Sequence, residues 1–328
     1  MKRSRPEVFE LKLRLLTSRA AHRGAQALIA SLFATATATA TAAAAAPAFT
    51  EVSFASFDKS AGQPVILQAF WALAPVGTAT SAEAKAKAKA KAKAVVLLHG
   101  CGGLYNAKGE LSARFLTYVE LLSSLGIHAL VLDSLTPRGE RELCTQKIGA
   151  RRVTVVHRRA DALAAVQWLS QQPQVDAKKI GLVGWSNGGS AVLSATNERH
   201  ADVAAAAVKA NFAVAFYPGC EAELKRGYQT SGPLLLLVGE ADDWTPAAPC
   251  KQLAAQAHSQ VFSADEPASK IEIEAYADAF HGFDSTSPLR LRKDVPNGVN
   301  PGQGVTVGGN AQALQKSRER LIQFLDSR

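Results

Sequence analysis

The sequence has almost no charge imbalance once two short stretches are set aside, and that absence is the first limit on its function. Residues 1–23 hold seven Lys and Arg against Glu7 and Glu10, and residues 81–94 hold five Lys against Glu83; together they account for the whole formal charge of +9. The remainder is neutral, so it offers no basic groove to a nucleic acid. Histidine is also sparse: the seven residues are scattered without the paired spacing of metal ligands, and neither a metal nor a cofactor is expected. Beyond residue 48 no run is long and apolar enough to span a bilayer. Only four cysteines occur, Cys101, Cys144, Cys220 and Cys250. They allow three pairings, which sequence alone does not choose between, or they are free thiols. The expected pairing is Cys101 with Cys144 and Cys220 with Cys250, because each pair then joins loops that follow strands at one edge of a parallel sheet.

The N-terminal charge belongs to a leader. A basic segment ends at Arg23, Gly24 to Ala46 is uncharged, and Ala46-Pro47-Ala48 precedes Phe49. That is the form of a secretory signal peptide over residues 1–48; cleavage after Ala46 would leave Pro47 at the new N-terminus, so cleavage is placed after Ala48. The Ala/Thr-rich half is weakly apolar for a membrane anchor, and the uncharged core suits a transit peptide poorly. The expectation is an exported protein, periplasmic or secreted, with no stable membrane insertion after cleavage. Residues 49–328 then form one domain, and export favours disulfides. The Ala-Lys repeat within 74–94 reads as a solvated loop insertion, with a tether to anionic surfaces as the alternative.

Phe49 to Phe57 and Val65 to Leu73 alternate apolar with polar or small residues and read as an antiparallel start to a sheet. Apolar runs follow at Val95 to Leu98, Ile127 to Leu132, Ile180 to Val183, Phe212 to Tyr217, Pro233 to Val238 and Lys270 to Tyr276. Helical spacing falls between them, over Leu111 to Leu125 and Arg151 to Gln171, and again after Asn310, which caps a last helix. The expected fold is α/β, with a mostly parallel central sheet and helices on both faces.

The chemistry gathers where these strands end. Ile180 to Val183 runs into Gly184-Trp185-Ser186-Asn187-Gly188, a strand-to-helix turn that exposes a serine and needs near-absent side chains two residues to either side. Ser186 is the candidate nucleophile, and the N–H of Asn187 points at the place where an oxyanion forms. Val95 to Leu98 ends in His99-Gly100-Cys101-Gly102-Gly103, whose backbone can supply a second donor, assigned to Cys101; His99 braces the loop. An acid belongs after Pro233 to Val238, where Asp242 and Asp243 both stand, either of which can instead cap the following helix. His281 follows a late strand, completing the chain order Ser, Asp, His. Arg138 and Arg141 lie in an irregular loop over the strand ends, where they can meet an anionic substrate, and Trp185 is a further candidate for substrate contact. Residues 284–309 are a candidate rim.

These motifs together resemble the dienelactone hydrolase family of α/β-hydrolases over roughly residues 50–327. The family's Gly-x-x-Asp-x-x-x-Pro pattern falls on Gly239, Asp242 and Pro246, which selects Asp242 over Asp243. The best-known members use a cysteine nucleophile and a glutamate in the oxyanion loop; here Ser186 and Gly100 take those places, which implies serine-esterase chemistry. The resulting expectation is a Ser-His-Asp hydrolase of small-molecule carboxylic esters or lactones, acting through an acyl-enzyme. Two other readings stand beside it. One is a small-peptide or amide hydrolase of prolyl-oligopeptidase-like type, although the chain has no room for that family's propeller; the other is a non-catalytic binding protein on the same fold.

Overall fold

The computed structural model describes residues 48–75, 91–259 and 271–328. The leader and most of the Ala-Lys repeat lie outside these residues. The described chain enters as an antiparallel pair, β1 (Phe49–Ala55) and β2 (Ile66–Ala72), whose alternating burial matches their alternating sequence. Next come β3 (Ala92–Leu98), β4 (His128–Asp133), β5 (Val175–Trp185), β6 (Phe212–Phe216), β7 (Leu234–Gly239) and β8 (Ile271–Tyr276). The strand order is β1-β2-β4-β3-β5-β6-β7-β8; β2 meets β4 antiparallel, and every later neighbour is parallel.

The helices are α1 (Ala113–Ser124), α2 (Val155–Ser170), α3 (Asn187–Thr196), the short α4 (Ala201–Ala204) and α5 (Glu221–Arg226), α6 (Ala247–Ser259) and α7 (Ala311–Asp326). Period-2 alternation along the strands divides the core into two layers. Val96, Leu98 and Leu182 face α2, α3 and α6, whereas Val95, Leu97 and Val183 face α1 and α7. This is the α/β-hydrolase fold. Asn310 caps α7 by accepting from the Ala313 N–H at 3.0 Å.

One boundary differs from the sequence reading. β3 begins at Ala92, inside the Ala-Lys repeat, because alternation there turns Lys93 toward the sheet face under α7. Its ammonium donates to the Leu325 carbonyl and lies 5.7 Å from the centre of the Phe212 ring. The stem covers apolar surface while the charge meets a helix C-terminus.

Two disulfides form, Cys101–Cys144 between loops at the C-terminal edge of the sheet and Cys220–Cys250 between the start of α5 and the first turn of α6. The first fastens the loop after β3 to the irregular 134–150 segment, around a small apolar cluster with Leu135, Leu143 and Val153. A two-stranded ribbon, β9 (Arg290–Arg292) with β10 (Val305–Val307), crosses the same edge; His281 bridges to Val307, and the Gly308 N–H donates to the His281 carbonyl at 3.0 Å.

Candidate active site

β5 delivers Ser186 to the sheet edge in a backbone conformation that side-chain-bearing residues rarely adopt, φ 56° and ψ −120°. The turn closes because a Cβ on Gly184 would stand 2.3 Å from the Gly188 carbonyl oxygen, and one on Gly188 would stand 2.1 Å from the Leu98 oxygen. Neither position admits a side chain. The Ser186 N–H donates to the Phe216 carbonyl at 2.9 Å, which fixes the strained residue to the neighbouring strand.

The loops after β7 and β8 bring two further side chains to this serine. The Ser186 hydroxyl meets His281 Nε2 at 2.8 Å, and His281 Nδ1 meets Asp242 Oδ2 at 2.8 Å. With a carboxylate as acceptor, Nδ1 carries the proton and Nε2 is left to accept from the hydroxyl. Asp242 is fixed in turn by the N–H groups of Trp244 (2.8 Å) and Thr245 (2.9 Å). It therefore bonds the histidine and closes its own loop at once. Asp243 points elsewhere and accepts from Thr306, which holds β10 in place. Tyr217 and Trp244 pack on the imidazole with ring centres at 4.7 and 4.6 Å.

Ser186 and His281 open into a cavity of about 250 Å³, whose wall includes Cys101, Trp244 and three arginines, Arg114, Arg290 and Arg292. Arg292 pairs with Asp294 at 2.6 Å, and Arg114 pairs with Asp284 at 3.1 Å. Arg290 is exposed and, among the described residues, has no ion-pair partner. The N–H of Cys101 makes no hydrogen bond among the described residues, and Asn187 opens α3, where helix geometry leaves N–H groups without acceptors.

The arginines in this wall are not the ones the sequence pointed to. Arg138 turns inward and pairs with Asp58 and Asp161, each at 2.8 Å. Burial pushes the Asp58 carboxyl up, but hydrogen bonds from Arg138 and Ser60 outweigh it and hold the group at about 2. A guanidinium shared by two carboxylates is not free to bind a substrate. Arg141 is exposed and outside the cavity lining; its carbonyl is what passes Gly103. Trp185 is fully buried beneath the serine, because its indole N–H donates to Asp284 at 2.8 Å.

Asp284 is the residue that sequence reasoning missed. Its carboxylate is fully buried and accepts four donors: Tyr217 OH (2.7 Å), Trp185 Nε1 (2.8 Å), Tyr118 OH (2.9 Å) and Arg114 Nη2 (3.1 Å). Burial, and then Asp284 itself, raises the Tyr118 phenol well above its ordinary value, and the Tyr217 phenol is raised likewise, so both remain donors. The available signal was an acid directly after His281-Gly282-Phe283, one place past the motif. His99 is fully buried; its Nε2 accepts from the Ser134 N–H at 3.4 Å, and its Nδ1 meets the Gly100 carbonyl at 2.7 Å.

Solved structures share this fold. Esterase 2 of Thermogutta terrifontis with propionate bound superposes at a TM-score of 0.53 and 18% identity, over 86% of this chain and 94% of that one. The same esterase is known phosphorylated by paraoxon. A Klebsiella pneumoniae protein assigned as a dienelactone hydrolase gives 0.57 and 14%, over 86% and 100% of the two chains. Dipeptidyl peptidase 4 of Porphyromonas gingivalis gives 0.56 and 17%, over 86% of this chain and 36% of its own. No curated protein matches the sequence. The profile of the dienelactone hydrolase family matches residues 79–328, which hold the elbow, the acid and the histidine, and the chain belongs to that family.

Proposed function

We propose that the protein is an exported serine hydrolase of carboxylic esters or lactones, with Ser186 as nucleophile, His281 as general base and then acid, and Asp242 as the orienting carboxylate. The observation that carries this reading is the unbroken line Asp242–His281–Ser186, with both contacts at 2.8 Å and the serine at the floor of an open cavity. As Ser186 Oγ bonds to the substrate carbonyl carbon, its proton passes to His281 Nε2 and the carbonyl π pair moves onto oxygen. The N–H groups of Cys101 and Asn187 receive that oxyanion. Collapse expels the alcohol, which takes the proton from His281; water then repeats the sequence on the acyl-enzyme and releases the acid. Export rests on the leader and the two disulfides; among the described residues no helix is long and apolar enough to cross a membrane.

The test is labelling of the oxidised protein with a fluorophosphonate, an organophosphorus reagent as paraoxon is, followed by mass mapping. An adduct on Ser186 is the expected result. A folded protein that takes no label would favour a non-catalytic binding role instead.

The cavity wall narrows the substrate further. Three guanidinium groups and no carboxylate line it, so the preferred ester carries a negative charge. Asp284 and Asp294 already neutralise Arg114 and Arg292, which leaves Arg290 as the principal contact. Arg290→Ala is expected to raise KM for a dicarboxylic monoester roughly 3- to 10-fold, the effect being limited by solvent screening, and to leave KM for a neutral ester unchanged. Parallel kinetics on the two esters check this; equal effects on both would remove Arg290 from substrate recognition.

A further inference from the structure

The two backbone donors assigned to the oxyanion lie on separate segments, the loop after β3 and the first turn of α3. Such a hole works only if both donors keep a fixed distance from one oxygen, about 2.7–3.1 Å. Arg158, on α2, lies behind both segments and is fully buried. Its Nη2 donates to the His99 carbonyl at 2.6 Å and its Nη1 to Asn187 Oδ1 at 2.6 Å. Gly188 crowds the same carbonyl, with only 2.5 Å between the His99 oxygen and the place of a Cβ. In a trans peptide the His99 carbonyl and the Gly100 N–H point in opposite directions. Gripping that carbonyl therefore sets the plane from which the loop turns toward the Cys101 N–H.

The charge of Arg158 is a second observation. Both acceptors are neutral oxygens, and its Nε has no partner. Asp161, one turn along α2, and Asp133 favour the charge only from a distance: Asp161 is bonded to Arg138 and Ser56, and Asp133 Oδ1 accepts the N–H groups of Leu135 and Thr136. A buried ion with no carboxylate in direct contact opposes folding. Burial draws the guanidinium down to about 10, which still leaves it charged at neutral pH. Burial first, and then the guanidinium 3.5 Å away, hold His99 well below its ordinary value, so the imidazole stays neutral beside it.

We propose that Arg158 is the positioning residue of the oxyanion hole: it clamps the loop after β3 to the start of α3 and keeps a positive charge, with no carboxylate in contact among the described residues, behind the site where the substrate oxygen becomes negative. This rests on Ser186 being the nucleophile. It also accounts for asparagine between Ser186 and Gly188, since the side chain supplies the acceptor for one arm of the clamp.

The experiment is steady-state hydrolysis of p-nitrophenyl acetate by the full, oxidised protein and its variants, alongside fluorophosphonate labelling. Arg158→Met is expected to lower kcat about 100-fold with KM within twofold, and Arg158→Lys, which keeps the charge but not the fork, about 10-fold. Asn187→Ala removes the far acceptor while leaving its own backbone donor, and is expected to lower kcat about 10-fold at constant KM. If neither Arg158 variant folds, Asn187→Ala decides alone. A folded Arg158→Met protein with kcat within threefold of the parent, a loss confined to KM, or, where neither folds, an Asn187→Ala protein at parental kcat would overturn the clamp. Labelling separates the two failures: a labelled parent with an insensitive Arg158→Met removes the clamp alone, whereas a parent with neither label nor turnover removes the nucleophile reading and the clamp with it.

Discussion

Ser186→Ala is expected to lower p-nitrophenyl ester turnover by at least about 10⁴-fold and to leave the fold intact. Among the described residues the hydroxyl of Ser186 hydrogen-bonds only to His281 Nε2, so its removal takes away the proposed attacking atom and little packing. Alanine inherits the same positive φ as serine and adds no new strain. Thermal unfolding within about 3 °C of the parent, with turnover near background, is the paired result that checks the proposal. Retained turnover would show that another group attacks the ester.

A larger effect on the fold comes from a residue that does not react. Asp284→Ala strips four donors of their one buried carboxylate acceptor, leaving two phenols, an indole N–H and the Arg114 guanidinium unmatched. Breaking a buried ion pair from one side costs about 3–5 kcal/mol. For a chain of this size that corresponds to a fall in melting temperature of roughly 5–9 °C. Activity falls too, because Trp185 precedes Ser186 in the chain and the Tyr217 ring packs against His281. Asp284→Asn keeps an acceptor and is expected to lose about half as much stability. Calorimetry under oxidising conditions tests the series; an Asp284→Ala midpoint within 2 °C of the parent would show that water replaces the carboxylate.

The motifs were legible because each is local. A serine between small residues after an apolar strand, and an acid and a histidine after later strands, are fixed by turns of a few residues. The arginines were not legible, because their roles depend on distant partners. Arg138 stands in a loop over the strand ends, and only folding shows Asp58 and Asp161 turned toward it. Arg114 sits on a helix whose spacing speaks of packing, and what turns it to the cavity is Asp284, far along the chain. Arg158 has the spacing of the buried face of α2 together with Asp161, Ala162 and Ala165, all within that face. A charged residue on an apolar stripe was the one available sign that it is buried.

The bridge between His281 and Val307 also sets an order in time. The chain is made from its N-terminus, so the elbow and the Asp242 loop exist before the segment that straps the histidine. The Gly308 N–H closes on the His281 carbonyl, and the Asn310 N–H closes on the Phe283 carbonyl, with only α7 left to follow. A nascent or truncated chain that stops short of residue 310 carries the three proposed reacting side chains, yet lacks these backbone bonds that strap the histidine loop. On the proposed mechanism, a fully braced histidine therefore depends on a segment made after the last of those three side chains.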